Sequence, residues 1–456
     1  MENKKTDQMN RRQFLNYSAL GLAGLTILPS WTMANGVYMA PSDRVVLGFI
    51  GLGQQSLSDF RSYQSVPGIQ IAAGCDVDSI KRERFANSVT TWQKEQKINP
   101  RLDTYEFYED LLNRQDIDAV HIATPDHWHA LIAIHACQAK KDIYLQKPLT
   151  YTIQESIDLT KAVRDNKVIM QVGSQQRSSQ EFQQAIALIR SNAIGHVETI
   201  YAALGPHADP YDLPEEPVPV NLNFNQWLGP LNDPKVHHHP DICQPVTLTQ
   251  RERGWGRWRY YRETGNGFTA DWGAHHFDIV QSAIGMDGLG PAEFIPIGYQ
   301  GTQYLTMKYQ NGIVMTEQNY RPEDERTTQG YTRGGGQGIC FNGSKGWLKV
   351  ARGYIECSDP SLIKRNEREV GAGQFEVNSP HNQDFINCVR SRKNPIAPVE
   401  AGASTLRVCV LANIAHELKR PVKWNPATLS FEGGDPEAEN HRLFKYQYRK
   451  PYHYKV

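Results

Sequence analysis

The chain has 456 residues, enough for about two or three domains with large buried cores. Its 49 basic and 49 acidic side chains cancel, which argues against a nucleic-acid binder or a membrane-surface protein acting through bulk positive charge. With 39% apolar and 21% charged residues, it has neither a disordered nor a coiled-coil composition. Its cysteines (Cys75, Cys137, Cys243, Cys340, Cys357, Cys388 and Cys409) are scattered, with no CxxC pair, so a zinc ribbon or a disulfide scaffold is not expected.

Residues 1–12 carry Lys4, Lys5, Arg11 and Arg12, and an apolar stretch from Phe14 to Leu28 follows, closed by Pro29. That stretch is too short and too rich in Gly and Ala for a spanning helix. A basic start, an apolar middle and small residues near Thr32-Met33-Ala34 have the pattern of an export signal. Arg11-Arg12 followed by Gln13-Phe14-Leu15 resembles a twin-arginine signal, read by the route that exports folded proteins. Residues 1–40 are therefore expected to be an address. The protein is expected in the periplasm or otherwise outside the cytoplasm, with no stable membrane anchor and with any cofactor loaded before export.

Arg44–Gly51 is an apolar, β-branched run that predicts a buried strand. Gly51-Leu52-Gly53-Gln54-Gln55-Ser56 follows at once and opens a helix to about Ser65. Glycines there allow a tight turn and close approach to a pyrophosphate, and the helix start offers unpaired N–H groups to the anion. Ser56 stands where a third glycine is usual. A second apolar run, Ile69–Ala73, leads through Gly74-Cys75 to Asp76. A carboxylate there suits an adenosine ribose and repels a 2′-phosphate, which favours NAD over NADP.

The alternation continues with a helix over about Ser79–Lys97 and a strand over Ala119–Thr124. Pro125-Asp126-His127-Trp128-His129 opens the next helix, and the strand Asp142–Gln146 stops at Lys147-Pro148. This predicts a doubly wound parallel sheet, a Rossmann domain over 41–165. Ligands bind at the carboxyl ends of such strands. The expected cofactor set is Gly51, Leu52, Gly53, Gln54, Gln55, Asp76, Thr124, Pro125, Asp126, Trp128, His129, Gln146, Lys147, Pro148 and, from the polar turn Gly173–Arg177, Gln175. Lys147 in a cleft can bind a substrate hydroxyl and stabilise developing oxyanion charge; outside one it is only a solvated strand end.

From 166 to 456 a second α/β domain is expected, with a large, mainly antiparallel open sheet. Asn311-Gly312 between Tyr304–Gln310 and Ile313–Gln318 signals a hairpin, and Asn342–Gly346 another. Helices are expected near 180–192, 271–284, 381–393 and 402–419, and residues 206–246 read as a long loop. Asp271 and His275, spaced i,i+4, are expected to share a helix face, the carboxylate orienting an imidazole base. A metal reading of Asp271, His275 and His276, or of His237-His238-His239, is weaker, and no metal is expected. Trp258 and Arg259 lie in a cluster suited to a sugar's C–H face and hydroxyls, although such a cluster can also cover an apolar edge. Arg177, Trp272 and His276 complete the expected substrate set, with Lys147, Asp271 and His275 as catalytic candidates.

Taken together, Gly51-Leu52-Gly53, Thr124–Ala130, Gln146-Lys147-Pro148, Gly173–Arg177, Trp227–Pro230, Asp271–Asp278, Gly343–Trp347, Asp384–Arg390 and Ala412–Ala415 resemble the Gfo/Idh/MocA family of oxidoreductases, in its exported branch. The resemblance spans nearly the whole chain. It implies NAD or NADP, a carbohydrate or cyclic polyol substrate, and homo-oligomers, dimeric or tetrameric, built on the open sheet. The family's Glu-Lys-Pro lysine matches Lys147, with Gln146 replacing the glutamate, and its Asp-x-x-x-His pair matches Asp271 and His275. A related branch cleaves glycosides by transient oxidation and commonly has valine where Lys147 stands, so Lys147 tilts the expectation toward net redox chemistry. A non-catalytic sugar-binding relative is the third possibility, supported only by Gln146.

Overall fold

The computed structural model describes residues 44–250, 252–318, 338–363 and 378–456, with the pairs 33–34 and 37–38. The chain divides into two units, Met1–Arg44 and Val45–Val456. In the first, the described residues are an antiparallel pairing of Met33–Ala34 with Val37–Tyr38. The twin-arginine motif and the apolar stretch after it lie outside the described residues.

The second unit begins with β1 (Val45–Ile50), β2 (Ile69–Cys75), β3 (Asp103–Tyr105), β4 (Ala119–Ile122), β5 (Asp142–Leu145) and β6 (Met170–Val172). They form one parallel sheet in the order β3-β2-β1-β4-β5-β6. The order reverses between β1 and β4, so their carboxyl ends diverge and leave a crevice. Helices Gln54–Tyr63, Ser79–Glu95, Asp126–Gln138 and Ile153–Asn166 connect the strands. Local chemistry starts two of them: the Asp78 side chain accepts from the Ile80 and Lys81 amides, and Thr152 and Glu155 form a reciprocal capping box. The sheet runs past residue 165, because β6 (Met170–Val172) pairs with β5.

The second sheet has nine strands: β7 (Val197–Ala202), β8 (Glu293–Ile295), β9 (Thr306–Lys308), β10 (Val314–Glu317), β11 (Ile339–Gly343), β12 (Gly346–Ala351), β13 (Tyr354–Cys357), β14 (Val422–Asn425) and β15 (Ser430–Phe431). Their order is β13-β12-β11-β7-β10-β9-β8-β14-β15. Among the described residues, only the β7–β10 pairing is parallel. Both expected hairpins form, with Gly312 at φ 88° supplying the turn between β9 and β10. Helix Val399–Leu418 is buried along most of its length and packs against Gly273–Ala283 and Ile153–Asn166, tying the two domains into one core. Among the described residues, no helix is long and apolar enough to cross a membrane.

The long stretch expected as a loop over the surface or the cleft has a core of its own. Tyr211, Trp227, Leu231, Val236, Ile242, Cys243 and Tyr261 form a separate buried cluster. It is stitched to the turn after β2: Ser79 N–H donates to the Asn221 carbonyl at 2.9 Å, and Asn223 N–H donates to Val77 at 3.0 Å.

Candidate active site

A cavity of about 1960 Å³ runs between the two domains. That is roughly twice the upper end of the range usual for small-molecule sites, room for a dinucleotide and a second ligand together.

One end is the glycine turn. Gly51 has φ +81°, and a Cβ there would lie 2.7 Å from the Ala123 carbonyl oxygen, so no other residue fits. Gly53 faces open space, and a Cβ on it would meet only Glu252 Oε1, at 3.9 Å. Helix Gln54–Tyr63 starts at Gly53 with no side-chain cap, leaving its first N–H groups for an anion. Ser56 substitutes for the third glycine by turning its hydroxyl back onto the Gly51 carbonyl. Asp76 is oriented by the Leu52 and Asp78 amides, at 2.7 and 2.9 Å. Burial raises its pKa against the opposing pull of Lys81 and those two amides. These features fit a dinucleotide with its pyrophosphate on the helix start and its adenosine ribose on Asp76.

At the other end, Lys147 leaves β5 and reaches Asp271 in the second domain. Its Nζ donates to Asp271 Oδ1 at 2.6 Å and to the Asp271 carbonyl at 2.9 Å. Arg259 Nε lies 3.3 Å from the same Oδ1. Burial pushes the Asp271 carboxyl up, but Lys147 and Arg259 outweigh it and hold the group below its ordinary value. Asp126 opens its helix on the same wall; burial pushes its carboxyl up to about 8 despite Arg259 and Lys147.

The expected pairing of Asp271 with His275 does not form. Two helical pieces, Gly267–Asp271 and Gly273–Ala283, meet at Trp272, which keeps helical φ/ψ, and His275 N–H donates to the Trp272 carbonyl at 2.9 Å rather than to that of Asp271. Asp271 serves Lys147 instead. His275 Nδ1 is buried without a hydrogen-bond partner. Burial first, then Arg352 and Lys147, drive its pKa well down, so the imidazole is neutral at physiological pH.

The cavity collects Gly51, Gly53, Gln54, Gln55, Asp76, Thr124, Pro125, Asp126, Trp128, Gln146, Lys147, Gln175, Trp258, Arg259, Asp271, Trp272 and His275 from the expected sets. Five others stand elsewhere. Leu52 is fully buried, with its N–H on Asp76. His129 is buried between the Pro148 and Thr124 carbonyls, at 2.7 and 3.0 Å, and ties two turns together. Pro148 itself lies beneath the cavity wall and offers that carbonyl. His276 faces away, on the Ala203 carbonyl at 2.8 Å. Arg177 is spent on structure: it donates to Asp278 at 2.6 and 2.8 Å and to Asp287 at 2.7 and 3.1 Å. A sequence pattern shows the charge of Arg177 but not the acids that fold back onto it.

Gln146 has a physical reason. Its amide donates to Asp59, which is fully buried, at 2.7 Å. A glutamate there would face a second carboxylate in low dielectric. Two wall residues, Arg352 and Glu252, had no sequence signal, and Gln176, inside the Gly173–Arg177 turn, is outside the expected sets although its neighbour Gln175 is in them. Arg352 and Glu252 come from a β-turn and a loop far along the chain, with no motif around them.

Two family profiles match: "Oxidoreductase family, NAD-binding Rossmann fold" over residues 45–174 and "Oxidoreductase family, C-terminal alpha/beta domain" over residues 207–454. A glycosyl hydrolase family 109 protein of Shewanella pealeana is 31% identical over 181 residues, 36% of this chain and 40% of that protein. An alpha-N-acetylgalactosaminidase of Shewanella oneidensis is 28% identical over 183 residues, again 36% of this chain, and 39% of that protein. The chain thus spans about two fifths of the length of these curated relatives, 40% and 39%. Among solved structures, an oxidoreductase domain protein from Kribbella flavida has a TM-score of 0.55 at 17% identity, covering 83% of this chain and 99% of that one. Scyllo-inositol dehydrogenase from Lactobacillus casei, crystallised with NAD(H) and scyllo-inositol, has a TM-score of 0.52 at 14% identity, covering 83% and 99%. Those two likenesses are of fold.

Proposed function

The chain belongs to the Gfo/Idh/MocA oxidoreductase family, and from that premise we propose that it oxidises a ring hydroxyl of a sugar, glycoside or cyclic polyol with a tightly held NAD. The observation that carries this reading is the convergence of Lys147, from the first domain, and His275, from the second, on the cavity that begins at the glycine turn. When bound, the nicotinamide supplies the redox step, taking two electrons and a hydrogen from the carbinol carbon.

The protein's own groups manage the proton and the oxygen. Lys147, held in place by Asp271, donates to the substrate oxygen and stabilises its developing negative charge. His275, kept neutral, accepts the hydroxyl proton. A weakly basic imidazole needs the neighbouring ammonium to acidify that hydroxyl, so the two act as a unit. Trp258 and Trp272 offer flat apolar faces to the ring's C–H groups. The protein, purified and then denatured, should release dinucleotide; an empty protein with no measurable NAD affinity would refute the reading.

The glycosyl hydrolase relatives favour a second reading, glycoside cleavage through transient oxidation. Aryl-glycoside turnover without net NADH would select it; reduction of the bound NAD by a sugar, reversed on adding a carbonyl-bearing second substrate, would select the dehydrogenase. Export by the twin-arginine route belongs to the same proposal and rests on Arg11-Arg12 and the apolar run after them. Replacing both arginines by lysine should leave the protein in the cytoplasm. Assembly through the open nine-stranded sheet is also proposed, and light scattering of the purified protein tests it.

A further inference from the structure

One cation in the substrate half of the cavity has no carboxylate of its own. Arg352 leaves the end of β12, and its guanidinium lies over the Trp272 ring, 4.8 Å from its centroid. The amide of Gln176, in the orientation that satisfies both its ends, accepts from Arg352 Nε at 3.2 Å and donates to the His275 carbonyl at 3.1 Å. Among the described residues, no Asp or Glu oxygen lies within ion-pair distance of Arg352, whereas Lys147 and Arg259 share Asp271. Glu181, on the same wall, is turned to the Gly353 amide at 2.9 Å. Burial pushes the Asp126 carboxyl up to about 8, and Asp271 and Glu181 favour the Arg352 charge only across a distance, Asp271 being bound to Lys147 and Arg259. Arg352 is half-buried; a guanidinium partly withdrawn from water with no acid at contact distance carries a desolvation cost, and a planar fork beside an aromatic face is shaped for an oxyanion.

We propose that Arg352 is the specificity determinant of this site and that the substrate is an acidic sugar, its carboxylate or sulfate completing the missing ion pair. This rests on the sugar-oxidoreductase reading above and narrows it. A neutral polyol would leave the guanidinium without an anion on the cavity wall; an anionic sugar would neutralise it while its ring lies on Trp272 and its hydroxyl meets Lys147 and His275.

The test uses NAD-loaded protein and tryptophan fluorescence titrations with matched probes: glucose and glucuronate, galactose and galacturonate, N-acetylglucosamine and its 6-sulfate. At least one acid should bind about tenfold or more tightly than its neutral partner. Arg352→Gln should abolish that preference while keeping bound NAD and the affinity for neutral sugars; Arg352→Lys should retain part of it. Success of the uronate arm alone, or of the sulfate arm alone, identifies the anion. Neutral sugars binding as well as every acid, no acid binding at all, or a preference unchanged in Arg352→Gln each overturns the proposal. Dinucleotide content, measured on the same preparations, reports separately on the oxidoreductase reading: protein devoid of NAD defeats that reading whatever Arg352 does.

Discussion

The two ends of the cavity use charge in opposite ways. Around the adenosine end, charges close on one another. Glu252 Oε1 lies 3.0 Å from Arg84 Nη2 and 4.0 Å from Lys81 Nζ, with the Glu252 and Arg84 side chains almost fully buried. The loop that carries Glu252 thereby lies against the glycine turn, and the 207–261 lobe is pinned to the turn after Asp76. At the substrate end Lys147 and Arg259 also close on Asp271, but Arg352 has no acid at ion-pair distance, His275 Nδ1 has no partner, and burial pushes the Asp126 carboxyl up to about 8. Closed pairs fix a shape. Open groups carry a desolvation cost that only a ligand offsets, and this is where chemistry is expected.

The sharpest way to break that comparison is Lys147→Ala. Loss of the ammonium should lower turnover by about 10³-fold while NAD content stays unchanged; His275→Ala should behave alike, both read by cofactor reduction and by the dinucleotide released on denaturation. Unchanged turnover in both would place the chemistry elsewhere. Next comes the closed end. Arg84→Ala leaves Glu252 buried without its main partner, at a cost of about 3 kcal/mol in chemical unfolding, and bound NAD should be lost during dialysis that the parent protein survives. Equal retention would show that the Glu252 loop does not guard the cofactor.

Gln146→Glu should cost about 2 kcal/mol, because it sets a carboxylate against buried Asp59. A melting temperature equal to that of the parent would mean the site relaxes around the new charge. The last effect depends on pH and concerns Asp126. Its folded pKa of about 8 lies above the unfolded value of about 4, so the folded state holds the proton more tightly. Stability from this group is greatest below the unfolded value and declines as pH rises toward 8. Asp126→Asn lacks that decline, so its melting temperature should gain on the parent's between pH 5 and pH 8. A constant gap would show that Asp126 ionises normally.

Much of the first domain was legible because its signals are local. Gly51 is required by a backbone angle and by the Ala123 carbonyl, and the helix after it starts within a few residues. Lys147 follows its strand directly, so strand order alone delivers it to the crevice. The second domain was legible in its hairpins and much less so in its site. Spacing placed Asp271 and His275 on one face, but Lys147, reaching across from the first domain, takes the carboxylate. Arg177 reads as a ligand group in sequence and is a buried strut in the fold.

The amino-acid sequence by itself determined the alternating strands and helices, the dinucleotide turn, the lysine at a strand end and the hairpins of the second sheet. Each follows from periodicity, glycine geometry or capping between near neighbours. Only the tertiary structure decided which charges close and which stay open: Asp271 with Lys147, Arg84 with Glu252, Arg352 with no acid. Those choices join residues far apart in the chain, and ion pairing depends on distance and burial in space, which linear spacing does not encode.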